Sequence, residues 1–160
     1  MAAALGFRRL SLAGAALAAA LTATVIVVAC GGGPGGRAGA VLRVDDSYIP
    51  LPAGDGMAAG YLTVNNIGDH ADKLVRVTSP GASSVTMHRS TETSMEAVQS
   101  LEVPAGGALK LARGGIHLMI MGWQKPPAVG DQLELDLTFE RAGTVAVQVP
   151  VKPLTYRPGS

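Results

Sequence analysis

The sequence predicts an all-β protein, a small antiparallel Greek-key sandwich, and three observations lead there. From Val41 onward short apolar stretches recur at close spacing between turn signals. Leu133-Glu134-Leu135-Asp136-Leu137-Thr138-Phe139-Glu140 alternates strictly, the period of a strand with one buried and one wet face. Twenty-one glycines and ten prolines among 160 residues favour a turn-rich chain over a helix bundle.

The N-terminus reads as an export signal. Arg8 and Arg9 precede residues 10–29, an uncharged and almost wholly apolar run. Its length admits a membrane span of about 20 residues, or a cleaved signal with a basic start and small residues at its end. The ending, Val27-Val28-Ala29-Cys30-Gly31, resembles a bacterial lipobox, in which the cysteine thiol is lipidated and becomes the new N-terminus. Residues 1–29 are then a lipoprotein signal peptide cleaved before Cys30, the sole cysteine of the chain. An ordinary secretory signal and an uncleaved anchor are the alternatives. All three place the remainder outside the cytoplasm. Residues 30–40, glycine-rich after Cys30, form a tether with too few apolar side chains to build a core.

Residues 41–153 form the β domain. Tyr61-Leu62-Thr63-Val64 is a strand, ended by the turn cluster Asn65-Asn66-Ile67-Gly68-Asp69. Lys73–Val77 is a strand closed by Ser79-Pro80-Gly81, and Ser84–His88 is another. Leu101–Val103 runs into the turn Pro104–Gly107, and Ala108–Leu111 and Ile116–Met121 bracket Arg113-Gly114-Gly115. Leu133–Glu140 and Thr144–Val149 form a hairpin around Arg141-Ala142-Gly143. Seven to nine strands are expected, with no helix after residue 40 and no internal repeat. Residues 154–160 read as a loose C-terminal tail.

Charge narrows the function. Thirteen basic against 12 acidic residues give a net charge of +1, which argues against nucleic-acid binding. One cysteine excludes an intramolecular disulfide. No Ser/His/Asp or paired-acid arrangement stands out, so hydrolytic chemistry has little support.

The chemistry concentrates between Met87 and Met121. Two of the three histidines, His88 and His117, fall there with Met87, Met95, Met119 and Met121. In a strand residues two apart share a face, so His117, Met119 and Met121 point one way while Leu118 and Ile120 point the other. Thioethers are neutral and polarizable and select Cu(I), while imidazole suits soft and borderline ions. A site built from them adds no negative charge and disfavours Zn²⁺. A blue-copper centre needs a cysteine thiolate, which this domain lacks. The competing reading is that the methionines only fill core gaps. His70, in the turn after Gly68, has no sulfur neighbour in sequence and reads as a solvated loop residue.

Met95, twenty-one intervening residues and then His117-x-Met119 resembles the signature of the PCu(A)C family of extracytoplasmic copper chaperones. Tyr61-Leu62-Thr63-Val64-Asn65-Asn66-x-Gly68, Val103-Pro104-Ala105-Gly106-Gly107, Gly114-Gly115-x-His117-Leu118-Met119-x-Met121-Gly122 and Leu137-Thr138-Phe139 are also similar to the family pattern. The resemblance covers about residues 41–151. One departure is that only six residues separate His88 from Met95, fewer than in the commoner family pattern, which reads as a shortened hairpin loop. The resemblance implies a cupredoxin-like β-sandwich binding one Cu(I) through His88, Met95, His117 and Met119, and Met121 is an accessory candidate by its place on the strand face of Met119. It also implies delivery of copper to acceptors such as the copper centre of cytochrome c oxidase, beside Sco-type proteins, without bond chemistry on a substrate, so that no enzyme is expected. The lipid anchor on the bacterial cell membrane is the expectation from the lipobox. Two other readings stay open: a copper-sequestering or resistance protein, and an exported adhesion or scaffold lipoprotein whose His/Met cluster merely packs.

Overall fold

The computed structural model describes residues 25–26, 39–54 and 56–158. The expected signal peptide, apart from Val25–Ile26, lies outside the described residues, as do Cys30 and residues 31–38 of the tether.

Ten strands follow the tether, and no helix occurs among the described residues. They are β2 (Leu42–Pro50), β3 (Met57–Asn66), β4 (Asp72–Thr78), β5 (Ala82–Ser90), β6 (Met95–Ala97), β7 (Leu101–Val103), β8 (Ala108–Leu111), β9 (Ile116–Trp123), β10 (Gln132–Phe139) and β11 (Gly143–Lys152). Ahead of them β1 (Val25–Ile26) pairs antiparallel with Arg43 and Val44 of β2. Cleavage before Cys30, as the sequence leads one to expect, would leave that stretch of β2 with an open edge.

The ladder runs β6-β5-β9-β3-β2-β11-β10-β4-β7, with β8 added to the second half of β3. Apart from the short parallel pairing of β11 with β2 at Val151↔Ile49 and Lys152↔Pro50, every pairing is antiparallel. The sheet curls so that the two halves face each other. Leu62, Met87, Leu118 and Ile120 from one half and Leu74, Leu135, Leu137 and Val147 from the other share a single hydrophobic core. The all-β sandwich expected from the sequence is the architecture observed.

The β10–β11 hairpin follows its alternation. Leu133, Leu135 and Leu137 pair with Val149, Val147 and Val145, and all six side chains are buried. Burying one such side chain contributes roughly 1.5–3 kcal/mol. The turn of this hairpin is held from a distance by Asp72, only 2% exposed. Its carboxylate accepts backbone N–H bonds from Lys73 (2.7 Å), Arg141 (3.0 Å) and Ala142 (2.9 Å). A buried charge persists only when satisfied in this way.

Asn66 does similar work at the other end of β3. Its side-chain oxygen accepts from the N–H groups of Val41 and Gly68, and its amide donates to the His70 carbonyl at 2.7 Å. A Cβ at Gly68 would stand 2.3 Å from the Gly39 carbonyl oxygen, so only glycine lets the incoming chain pass.

Two strands escaped the sequence reading. In β2 the register shifts between Asp45 and Tyr48, and Asp46 takes a positive φ of 51°. The shift breaks the alternation that marks a strand. Every residue of β6 is exposed, so it carries no apolar period. Within the expected C-terminal tail, Tyr156 packs edge-on against Tyr48 with ring centroids 5.0 Å apart, and Arg113 donates to the Leu154 carbonyl.

Candidate metal centre

β5, β6 and β9 bring the candidate residues together. β5 pairs with β9 so that His88 stands directly opposite His117, and Thr86 opposite Met119. Paired residues of an antiparallel ladder share a face, so both imidazoles and the Met119 thioether lie on the outer face of this half of the sandwich. Met87, Leu118 and Ile120 take the opposite face and are buried in the core. The alternation read in Ile116–Met121 is therefore real, and Met87 packs rather than joining the cluster.

Met95 arrives by a hairpin. β5 and β6 pair at His88↔Ala97, Arg89↔Glu96 and Ser90↔Met95. Thr91 and Ser94 close the turn, the Thr91 N–H donating to the Ser94 carbonyl at 2.8 Å and the Ser94 N–H to the Thr91 hydroxyl at 2.9 Å. Ser90 and His88 share a face, so Met95 joins theirs at the sheet edge, 52% exposed. Glu96, opposite Arg89, faces the other way. The short His88–Met95 spacing thus lies in the turn leading to Met95. It does not move His88, whose place is set by β9.

The two imidazoles have distinct surroundings. Their ring centroids are 6.1 Å apart and their planes are inclined by 26°. His117 is only 7% exposed, although it sits on the outer face. Its Nδ1–H donates to the Gly115 carbonyl at 3.2 Å, an oxygen that also accepts from the Ser90 N–H. A carbonyl can only accept, so a neutral His117 carries its lone pair on Nε2. In His88 Nε2 meets the Thr86 hydroxyl at 2.9 Å, while the buried Nδ1 has no hydrogen-bond partner. Thr86 is a neighbour that spacing alone did not single out.

Other parts of the chain lie apart from this cluster. His70, in the β3–β4 connection, bonds through Nδ1 to the Asp69 carboxylate at 2.6 Å. Met121 continues the face beyond Met119, opposite Ser84 of β5 and Met57 of β3. Sequence spacing carried no signal for Met57, because the β3–β9 register alone brings it there. Among the described residues no group of three His, Cys, Asp or Glu side chains gathers as a metal-binding set. What the fold assembles instead is an imidazole pair flanked along one face by thioethers.

Comparison with known proteins bears on the fold and the family. The family model described as "Putative lipoprotein LpqE-like" matches residues 42–151. A protein of Leifsonia xyli subsp. xyli (strain CTCB07), named "Putative lipoprotein Lxx21020", is 37% identical over 124 residues, 74% of either chain. The copper-bound PCuAC domain from PmoF2 superposes with a TM-score of 0.62 at 26% identity, over 70% of this chain and 92% of that one. The Cu(I) form of DR1885 from Deinococcus radiodurans gives 0.58 at 31% identity, over 68% and 76%. With the family match spanning the β domain and the solved neighbours sharing its architecture, the chain belongs to the LpqE-like family, which is of the PCu(A)C type.

Proposed function

We propose that this protein is an extracytoplasmic Cu(I) chaperone, anchored to the bacterial cell membrane through lipid on Cys30, that carries one copper ion between partner proteins. His88, Met95, His117 and Met119 hold the ion. The observation that carries this reading is the direct opposition of His88 and His117, with Met119 and Met95 on the same face. The donor set fits: the His88 Nδ1 is buried without a hydrogen-bond partner, and the Nδ1 bond to Gly115 leaves the His117 Nε2 lone pair for a metal. Two neutral thioethers and two neutral imidazoles match a soft monovalent ion better than Zn²⁺. The copper named in the PmoF2 and DR1885 structures supports the same ion here.

Transfer proceeds by ligand exchange. Met95 stands on a short exposed edge strand and is the ligand most readily displaced by an acceptor's thiolate or imidazole. The buried His117 is released last, so the ion is held by one protein or the other throughout. No bond of a substrate is made or broken, and the role is not enzymatic. Acceptors of suitable chemistry include the copper centre of cytochrome c oxidase, with Sco-type proteins beside it.

The test is Cu(I) titration of the full chain against a competing chelator, followed by mixing with an apo acceptor. One tightly held Cu(I) that moves to the acceptor is expected. Retention of the ion would favour sequestration, and no binding would leave the adhesion or scaffold role.

A further inference from the structure

The face that bears the two histidines does not end at Met119. β3 runs along the other side of β9, placing Met57 opposite Met121 and Ala59 opposite Met119. Directly opposed residues have Cβ atoms about 4.5–5.5 Å apart, within easy reach for two unbranched methionine side chains. The flanking residues on this face, Ala59 and Ser84, are small and leave room around the sulfurs. Met57 is 54% exposed, so packing does not account for a long apolar side chain there. Met87, 6% exposed in the core, shows what a packing methionine of this domain looks like.

We propose that Met57 and Met121 form a second soft-metal site that takes one Cu(I). It is separate from the His88/His117 set and does not depend on it. Met121 stands four residue steps along β9 from His117, about 13 Å in a strand, too far for one ion to serve both. Met119 lies halfway. Two neutral sulfurs suit a monovalent soft ion and offer little to a hard or divalent one. With no imidazole in the pair, the ion is held more weakly than at the histidines. It sits at the open end of a line of donors that leads, through Met119, to the buried His117.

Methionine-methyl NMR of the full chain tests this, with Cu(I) added under reducing, anaerobic conditions and resonances assigned through M57L and M121L. The Met95 and Met119 methyls should move with the first equivalent. Those of Met57 and Met121 should move together with the second, while Met87 stays still throughout. M57L should lower the stoichiometry from two to one without changing the first equivalent. In H117A the joint Met57 and Met121 shift should persist. A Met57 methyl unmoved through three equivalents would overturn the second site, as would M57L binding two ions like the parent. Loss of the Met57 shift in H117A would do the same, by merging the two sites into one. If Met57 and Met121 respond while Met95 and Met119 do not, the chaperone site fails and the second site stands.

Discussion

His88 and His117 occupy one register position on neighbouring antiparallel strands, with ring centroids 6.1 Å apart. Each ring is held by a neighbour two residues before it in sequence: Thr86 of β5 bonds to His88, and the carbonyl of Gly115, in the turn before β9, accepts from His117. Little side-chain entropy is left to lose on metal binding, since both imidazoles are already ordered on rigid elements.

That pairing ranks the ligands. His88→Ala and His117→Ala should weaken Cu(I) binding by similar factors, each tenfold or more, where about 1.4 kcal/mol corresponds to tenfold. Met119→Ala should come close to them. Met95→Leu, on the exposed edge strand, should cost less, and His70→Ala almost nothing. Chelator competition reads all five, and a His70 effect equal to that of His117 would mean the wrong cluster has been chosen.

Metal preference follows from the donors. Cu(I) should bind far more tightly than Zn²⁺ at neutral pH, because the thioethers supply polarizability without charge. Competition between the two ions in one sample decides it. Equal affinities would require a carboxylate or thiolate that the cluster does not contain.

Asp72 gives a stability prediction. Asp72→Ala removes the acceptor for two backbone N–H groups of the β10–β11 turn and for that of Lys73 in β4, and should destabilise the fold by at least about 2 kcal/mol. Asp72→Asn keeps an acceptor oxygen and should lose less. Urea unfolding midpoints measure both, and an unchanged midpoint for the alanine variant would show that water replaces the carboxylate freely.

Tyr61 supplies a pH dependence. Burial raises its pKa above the ordinary 10.0, Arg113 nearby opposes the rise, and Tyr48 adds to it. The folded chain thus keeps this proton to higher pH than the unfolded chain. The resulting stabilisation is complete below the unfolded value and is lost as pH climbs through the folded one. Tyrosinate absorbance should show Tyr61 titrating above 10.0, its ordinary value. Arg113→Met, which keeps aliphatic cover and removes the charge, should push it higher still.

Processing is checked by mass. Cys30→Ser should release or misprocess the protein, and the native chain should carry lipid on an N-terminal Cys30. A mature chain that retains Arg8 and Arg9 with an unmodified thiol would point to an uncleaved anchor.

Much of the candidate site's arrangement is legible in the sequence, for a physical reason. His117, Met119 and the buried Leu118 and Ile120 lie on one strand, where a period of two declares both faces. The β10–β11 hairpin was legible in the same way. Pairings between distant segments were not. Nothing local says that His88 meets His117, that Met57 meets Met121, or that Asp72 reaches across the fold to Arg141 and Ala142. β2 hid behind its irregularity at Asp46, and β6 behind its uniform exposure.

The seat of Val41 against Asn66 and Gly68 decides which end of the sandwich is tied down. β3 runs from Met57 to Asn66, ten residues and about 30 Å, with the chain entering at the Asn66 end. On a lipid at Cys30, the ten residues of leader up to Ala40 reach at most about 36 Å even when fully drawn out. With such an anchor the Asn66 end would be leashed to the bilayer, and Met57 and Met121 would lie at the end that sweeps the space beyond. Cargo at that tip would meet partners standing well clear of the lipid surface before it met anything embedded in it.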